Sequence, residues 1–318
     1  MSRNNREAAS LRTQGRAGWV VVACFAVMVM IGGSNFIAVR FSNDQLPPSF
    51  GAAVRFAIAS ALLFALAAVK KAPVPKGPAL RGTFGYGVLN FGLGYAALYF
   101  GLQKVTGGMA SVIMSSVPLL TLFLAVGHGL EKFRWRGLAG GVLAVAGISL
   151  LASSSVSLAS PIGHLAAILG GALCVAEAGV IVKMSPRGNP ITTNAIAMLT
   201  GTVVLVAASL LQGEQWEFPS GLKTWAILAY VALPGSIGLF GLFLFIIRHW
   251  TASATSYALT LTPVVAIPLG GLLRGEKVTW VMLGGAALVL LGTYVGALYE
   301  SITRAGREKL EAALSEAG

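Results

Sequence analysis

The stretch PLLTLFLAVGHGLEKFRWRGLAGGVLAVAG, residues 118–147, returns as PVVAIPLGGLLRGEKVTWVMLGGAALVLLG, residues 263–292. Nine of the thirty positions are identical without a gap, whereas about three would be expected by chance in a chain so rich in Gly, Ala and Leu. The sequence therefore predicts an internal duplication. The identical pairs include Pro118/Pro263, Glu131/Glu276, Lys132/Lys277, Trp135/Trp280, Gly140/Gly285 and Gly147/Gly292.

The composition around these repeats is that of a membrane protein. Apolar residues make up 56% of the chain and charged residues 11%, with a mean hydropathy of +0.78, whereas about a quarter of the residues in a soluble domain are charged. An apolar segment of about twenty residues crosses the bilayer as a helix. The sequence predicts ten such segments, at 19–39, 49–69, 82–102, 109–128, 135–152, 164–183, 192–211, 225–247, 254–273 and 280–299.

Basic residues are unevenly distributed between the two sides of the predicted membrane. With the N-terminus in the cytoplasm, seventeen Lys and Arg residues fall on the inner side and five on the outer side, which agrees with the positive-inside rule. The net charge of +12 is therefore explained by orientation in the lipid bilayer, and we expect no nucleic-acid partner. Both termini are predicted to be cytoplasmic, in a bacterial inner membrane.

Ten segments in two copies give five helices per half, and an odd number reverses the second copy. The sequence thus predicts an all-α fold, a 5+5 inverted repeat about an axis in the membrane plane, which is typical of secondary transporters. The expected organisation is a disordered tail at 1–17, a first repeat at 18–152, a linker at 153–163, a second repeat at 164–299 and a cytoplasmic tail at 300–318.

Motifs of enzymes and metal sites are missing from the sequence. It contains no Walker loop, HExxH or GxSxG pattern. Cys24 and Cys174 lie in apolar runs, and His128, His164 and His249 are far apart. We therefore expect no catalytic residues, no metal site and no cofactor.

Several short elements, in duplicate order, resemble a known family. They are Gly33-Ser34-Asn35, Arg55, Ala110-Ser111 followed by Pro118, and Gly129, Glu131 and Gly140, with a second set at Thr255-Ser256, Pro263, Gly275-Glu276 and Gly285. This order resembles the EamA-type, ten-helix members of the drug/metabolite transporter superfamily. The resemblance implies a central cavity between the halves and efflux of small metabolites. The aromatic residues of helix 3 are similar to those of YddG-type aromatic amino acid exporters.

Candidate substrate-binding residues lie where polar or aromatic side chains interrupt the apolar segments. Phe91, Tyr95 and Tyr99 are four apart and share one helical face, which could stack on a substrate or pack in the core. Glu177 is costly in hydrocarbon, so it could carry a proton, bind an ammonium group or bond a neighbouring helix. The predicted binding set is Ser34, Asn35, Asn90, Phe91, Tyr95, Tyr99, Ser111, Glu177, Ser256 and Tyr257.

Three further residues are candidates for a structural or mechanistic role. Arg55 could be structural or could anchor a substrate carboxylate, for which Arg has bidentate geometry. Pro118 and Pro263 each remove a backbone donor and free a carbonyl, so both predict bent helices that serve in gating.

The sequence favours a transporter that exports small amphipathic metabolites, with amino acids including aromatic ones as the substrate class. Multidrug or lipophilic-cation efflux by proton antiport is the alternative, and proton coupling is possible in either case. A channel, a receptor, a flippase and an intramembrane enzyme are weaker alternatives.

Overall fold

The structure is a computed structural model. It describes the backbone of residues 3–130, 132–133, 135–156, 162–216, 221–249 and 252–295, and the side chains of 19–130, 132–133, 135–151, 162–216, 221–243, 245–246 and 258–295. All regular secondary structure in these ranges is helical, so the predicted all-α class is confirmed.

Ten helices follow one another along the described chain. Six are uninterrupted α-helices of more than twenty residues: α1 at Arg3–Asn43, α2 at Pro48–Val69, α5 at Trp135–Val156, α6 at Ile162–Met184, α7 at Pro190–Leu211 and α9 at Ala252–Arg274. Helix α10 at Trp280–Thr293 is the shortest. Helices α3, α4 and α8 are built from consecutive segments. These are Pro78–Tyr86, Gly87–Gly94 and Tyr95–Gly101 in α3, Gly107–Met114 and Val117–Gly127 in α4, and Leu222–Ala232, Leu233–Gly238 and Leu239–His249 in α8.

Local sequence explains where several helices begin. Helices α2 and α7 have Pro48 and Pro190 in their first turn, where the missing N–H has no helical partner to lose. The Asn189 side chain caps α7 by accepting from the backbone N–H of Ile191 at 3.0 Å. Thr106 and Thr279 cap α4 and α10 in the same way, which lowers the cost of leaving the first amides unpaired.

The length and hydropathy of the helices fit a bilayer. Six spans, Trp19–Asn43, Pro48–Val69, Gly107–Gly127, Ile162–Met184, Pro190–Leu211 and Leu222–Phe243, are long and apolar enough to cross a membrane. Shorter apolar helices cover Trp135–Leu151, Ala258–Arg274 and Trp280–Thr293.

Helices α5 and α10, the last of each repeat, pack through their duplicated glycines. A Cβ at Gly147 would lie 2.7 Å from Gly285 O, and a Cβ at Gly292 would lie 2.5 Å from Gly140 O. In the duplication Gly140 corresponds to Gly285 and Gly147 corresponds to Gly292. Gly140 therefore packs against the repeat equivalent of Gly147, and Gly147 packs against the repeat equivalent of Gly140. Such reciprocal contact is the mark of a two-fold axis, and the helices run antiparallel, so the axis is perpendicular to them.

Helices α2 and α7 form a second antiparallel pair of repeat equivalents. The Ser60 hydroxyl donates to Ala195 O at 2.8 Å near one end, and the Gln212 amide donates to Ser49 Oγ at 3.1 Å near the other. The packing of α1 against α9 likewise has its counterpart in the packing of α6 against α4. The two halves are therefore arranged as an inverted repeat.

The structure differs from the sequence predictions at three places. Helix α1 extends into the tail expected to be disordered, because residues 3–18 hold no proline, only two glycines and many good helix formers. Helix α9 continues through Pro263 without interruption, whereas α4 is interrupted at Ser115–Ser116, just before Pro118, as a proline predicts. Helices α3 and α8 each contain a π-helical segment that the sequence did not predict. The predicted linker is partly helical, since α5 continues to Val156 and α6 begins at Ile162, and its residues 157–161 lie outside the described residues. The second tail lies wholly outside them.

Candidate functional site

Arg55 of α2 is the most buried charged residue of the described chain, with 1% of its surface exposed. Its Nε donates to Ser236 Oγ at 2.8 Å and its Nη2 to Gly235 O at 2.9 Å. Its Nη1 lies 3.4 Å from the Tyr99 hydroxyl. Arg55 therefore joins α2 and α3 of the first repeat to α8 of the second.

The π-helical segment of α8 contains both groups that accept the short hydrogen bonds from Arg55. A π-turn pairs residues five apart, and here Ser236 Oγ itself donates to Val231 O at 2.9 Å, five residues back. The Gly235 carbonyl accepts from Arg55 and also from the Asn35 amide of α1, at 3.0 Å. A Cβ at Gly235 would overlap Asn35 Oδ1, so the Asn35 side chain would have to shift to admit one. Nearby, Ser34 and the Tyr230 hydroxyl are 2.5 Å apart.

Aromatic rings surround the guanidinium. Its Cζ lies 5.1 Å from the centroid of Phe56 and 5.2 Å from that of Tyr95, close enough for cation–π attraction. The centroids of Phe91 and Tyr95 are 6.2 Å apart, and those of Tyr95 and Tyr99 are 6.4 Å apart. The three aromatic residues predicted to share a face are thus neighbours. Phe91 and Tyr99 are fully buried, whereas Tyr95 is only partly buried.

The remaining predicted binding residues are dispersed. Asn90 is buried in the π-helical segment of α3. Ser111 is also buried, but its hydroxyl donates to Gly108 O of its own helix at 2.6 Å. The side chains of Ser256 and Tyr257 lie outside the described residues.

Glu177 of α6 lies away from Arg55 and pairs with a histidine. Its Oε1 is 3.2 Å from His128 Nε2, at the end of α4, and the two side chains are 25% and 37% exposed. The other oxygen, Oε2, is buried without a described hydrogen-bond partner. Sequence analysis missed this pair because the residues are 49 positions apart and His128 precedes the Glu-Lys turn.

The predicted outer end of the bundle is closed by ion pairs. Glu276, before α10, pairs with Arg40 of α1 at 2.5 Å and accepts from the Gly107 amide at 3.2 Å. Arg274 donates to both oxygens of Asp44, at 2.6 and 3.1 Å. A cavity of about 340 Å³ lies between these groups, lined by Arg40, Asn43, Asp44, Leu102, Gln103, Lys104 and Arg274.

Arg55 was recognised from the sequence as an ambiguous residue, but its partners were not found. Gly235 and Ser236 are some 180 positions away. The one available signal was Leu-Pro-Gly-Ser at 233–236, a proline and two small residues inside an apolar segment. Such a cluster indicates an irregular helix turn.

Comparison with known proteins identifies the family. The EamA-like transporter family matches residues 18–153 and again residues 161–297. The chain belongs to the EamA-like transporter family. The two matched units coincide with the halves that the reciprocal glycine packing relates, so the family unit is the five-helix repeat.

Relatives in this family are similar over nearly the whole chain. The uncharacterized inner membrane transporter YedA of Escherichia coli K12 is 33% identical over 284 residues, 86% of this chain and 91% of YedA. A probable amino-acid metabolite efflux pump of Salmonella typhimurium LT2 is 27% identical, covering 88% of this chain and 96% of the pump. One crystal structure shares the fold, with a TM-score of 0.63 at 16% identity, over 88% of this chain and 98% of its own.

Membership fixes the class of activity. The protein is an integral membrane transporter of small molecules and not an enzyme. The resemblance to YddG-type exporters stays a prediction.

Proposed function

We propose that the protein exports small amphipathic metabolites, chiefly amino acids including aromatic ones, across the bacterial inner membrane, with both termini in the cytoplasm. The observation that carries this proposal is the reciprocal packing of the two repeats. Two halves related by inversion can exchange conformations, which opens one central path first to one side and then to the other.

The chemistry of the central cluster supports an amphipathic substrate. Partly buried Tyr95 packs against the Arg55 guanidinium, and Arg55 shares the Gly235 carbonyl of α8 with the Asn35 amide. The Ser34 hydroxyl contacts the Tyr230 hydroxyl of the same helix. Rings bind by offset stacking that tolerates several shapes. In this proposal the lining of the central path is completed by Asn90, Phe91, Tyr99, Ser111, Ser256 and Tyr257. Two relatives named as probable amino-acid metabolite efflux pumps favour the same substrate class.

Conformational change would be concentrated at the outer ion pairs and at the two helices with prolines. Release to the outside needs the Arg40–Glu276 pair to separate, because it ties α1 to the start of α10. Pro118 and Pro263 mark the positions at which α4 and α9 would bend as the path opens.

Efflux of lipophilic cations by proton antiport is the second candidate. The specific observation in its favour is Glu177, whose buried Oε2 has no described partner. A carboxylate that releases a proton as it binds a cation would couple the two fluxes.

Counterflow in proteoliposomes separates the candidates. Vesicles containing the full chain would be loaded with unlabelled phenylalanine, tryptophan, threonine or methionine, or with a lipophilic cation, and mixed with the labelled compound. We expect saturable counterflow of the aromatic amino acids. Counterflow of the cation with none of the amino acids would reject amino-acid export and favour drug efflux. Tyr95→Ala should lower the rate, and a wild-type rate would remove the aromatic face from the site.

A further inference from the structure

The geometry points to Arg55 as the anchor for a substrate carboxylate, so that the transported compounds are those bearing a carboxylate, as zwitterions or as anions. This inference deepens the proposed export function and rests on it.

The first step is the missing counter-charge of Arg55. Of the eleven acidic residues in the sequence, only Glu177 falls within one of the ten apolar segments, and it pairs with His128. The other acidic residues whose side chains are described are satisfied at the outer end: Asp44 by Arg274, Glu276 by Arg40, and Glu214 by the amides of Ser49 and Phe50. Within the described part of the chain, Arg55 therefore has only neutral partners.

A buried charge with neutral partners carries a large desolvation cost. Aromatic faces and hydroxyl groups offset part of it at Arg55, but none of them neutralises it. A purely structural link between α2 and α8 could be made by a neutral amide or hydroxyl side chain at lower cost. A mobile anion that arrives with each transport cycle supplies the missing charge.

The second step is the donor count. A guanidinium has five N–H groups, and the described contacts use Nε, one hydrogen of Nη2 and one of Nη1. One hydrogen on each terminal nitrogen is left without a described acceptor. A carboxylate has two oxygens and accepts one hydrogen from each of two guanidinium nitrogens in a bidentate contact.

An acceptor for an amino group lies in the same cluster. Asn35 shares the Gly235 carbonyl with Arg55, while its own Oδ1 is buried without a described hydrogen-bond partner. Donors from Arg55 and a free acceptor from Asn35 match the two ends of a zwitterion. A lipophilic cation would meet the Arg55 charge and be repelled.

Ligand binding to the purified wild-type protein tests the anchor without any mutation. Thermal unfolding in detergent would be followed with phenylalanine, 3-phenylpropionate, phenylalanine amide and phenethylamine, since stabilisation reports the affinity of each. We expect the two carboxylates to bind at least about tenfold more tightly than the amide and the amine, which leave buried donors unpaired. Equal binding of the amide or amine, or no binding of either carboxylate, overturns the anchor.

Variants extend the test to the residue. In Arg55→Gln the affinities of the four compounds should fall within about twofold of one another, whereas Arg81→Gln, which changes an exposed arginine of α3, should keep the wild-type preference. If Arg55→Gln does not fold, the binding of the four compounds to the wild-type protein still tests the anchor. Selective binding of carboxylates without phenylalanine counterflow would reject amino-acid export and keep the anchor. Counterflow of phenylalanine together with equal binding of phenylalanine and phenylalanine amide would keep amino-acid export and reject the anchor.

Discussion

The neighbouring carbonyl determines which ring nitrogen of His128 faces Glu177. His128 Nδ1 is 2.9 Å from Leu124 O, and a carbonyl only accepts hydrogen bonds, so Nδ1 carries a hydrogen. Nε2 and the carboxylate oxygen are 3.2 Å apart, and a proton between them would join the two side chains in a hydrogen bond. A pair of this kind can take up or release a proton with little movement.

Replacing the carboxylate tests whether transport uses this proton. Glu177→Gln removes the titrating partner, so we expect the pH dependence of transport between about pH 5 and 8 to flatten. His128→Asn should have the same effect, because it removes the other half of the pair. The measurement is the initial rate of substrate uptake into proteoliposomes at several pH values. Unchanged profiles in both variants would assign the pair to helix packing.

The Arg40–Glu276 pair predicts how firmly the outer end is closed. Glu276 is only 7% exposed and also accepts from an amide, so Glu276→Gln should favour the open state by about 1.5 kcal/mol, or roughly tenfold. A cysteine at Leu102, which lines the outer cavity, would report this as faster reaction with a membrane-impermeant thiol reagent.

The matched control is Asp44→Asn. Asp44 is 46% exposed, and exposed pairs contribute about 0–1 kcal/mol, so the reaction rate should rise less than about fivefold. A larger effect in Asp44→Asn than in Glu276→Gln would mean that the Arg274 pair closes this end.

Sequence reasoning succeeded for residues close together in the chain. Phe91, Tyr95 and Tyr99 are neighbours because residues four apart on a helix face the same way. It failed for Arg55 and Glu177, whose partners lie on other helices. Which of several polar residues they meet depends on helix rotation and depth, which apolar periodicity alone does not determine.

At the scale of elements, the α5–α10 contact predicts which glycines tolerate a methyl group. A Cβ at Gly292 would lie 2.5 Å from Gly140 O, a backbone atom that cannot move aside, whereas a Cβ at Gly284 would meet Leu150 at an ordinary 3.7 Å. We expect Gly292→Ala to destabilise the protein by about 1–3 kcal/mol and Gly284→Ala to be nearly neutral. Thermal unfolding in detergent measures both, and equal midpoints would contradict the close packing.

The two proline helices predict different sensitivities. Pro118 follows the interruption of α4 at Ser115–Ser116, where an alanine could restore a continuous helix. Pro118→Ala should therefore lower the transport rate more than it lowers the amount of folded protein. Pro263→Ala, in the continuous helix α9, should also lower transport, but by less. Wild-type counterflow in both variants would make the prolines purely structural.

Apolar length predicted ten helices in the right places, and capping residues and prolines account for several of their starts. The π-helical segments were not predictable, because a five-residue turn has no apolar period of its own. Shifting residues 87–94 by 145 positions gives 232–239, nearly the observed segment at Leu233–Gly238. A feature present in both halves belongs to the repeat unit itself, and π-turns are frequent at functional sites.

At the scale of the whole molecule, the duplication has a consequence for topology. The two Glu-Lys turns are equivalent in sequence, and five helices lie between them along the chain. The antiparallel contact of Gly140 with Gly292 and of Gly147 with Gly285 requires α5 and α10 to enter from opposite ends. The turns that precede these helices therefore lie at opposite ends of the bundle.

Single-cysteine labelling converts this geometry into a test of membrane orientation. In a background of Cys24→Ala and Cys174→Ala, a cysteine at Lys132 or at Lys277 would be exposed to a membrane-impermeant thiol reagent added to intact cells. Because basic residues concentrate on the side of Lys132 and both termini, we expect only Lys277→Cys to react. Lys132→Cys should react once the membrane is permeabilised, which serves as its control. Reaction of Lys132→Cys alone would reverse the orientation and turn the proposed exporter around, while equal reaction of both in intact cells would contradict the inverted repeat itself.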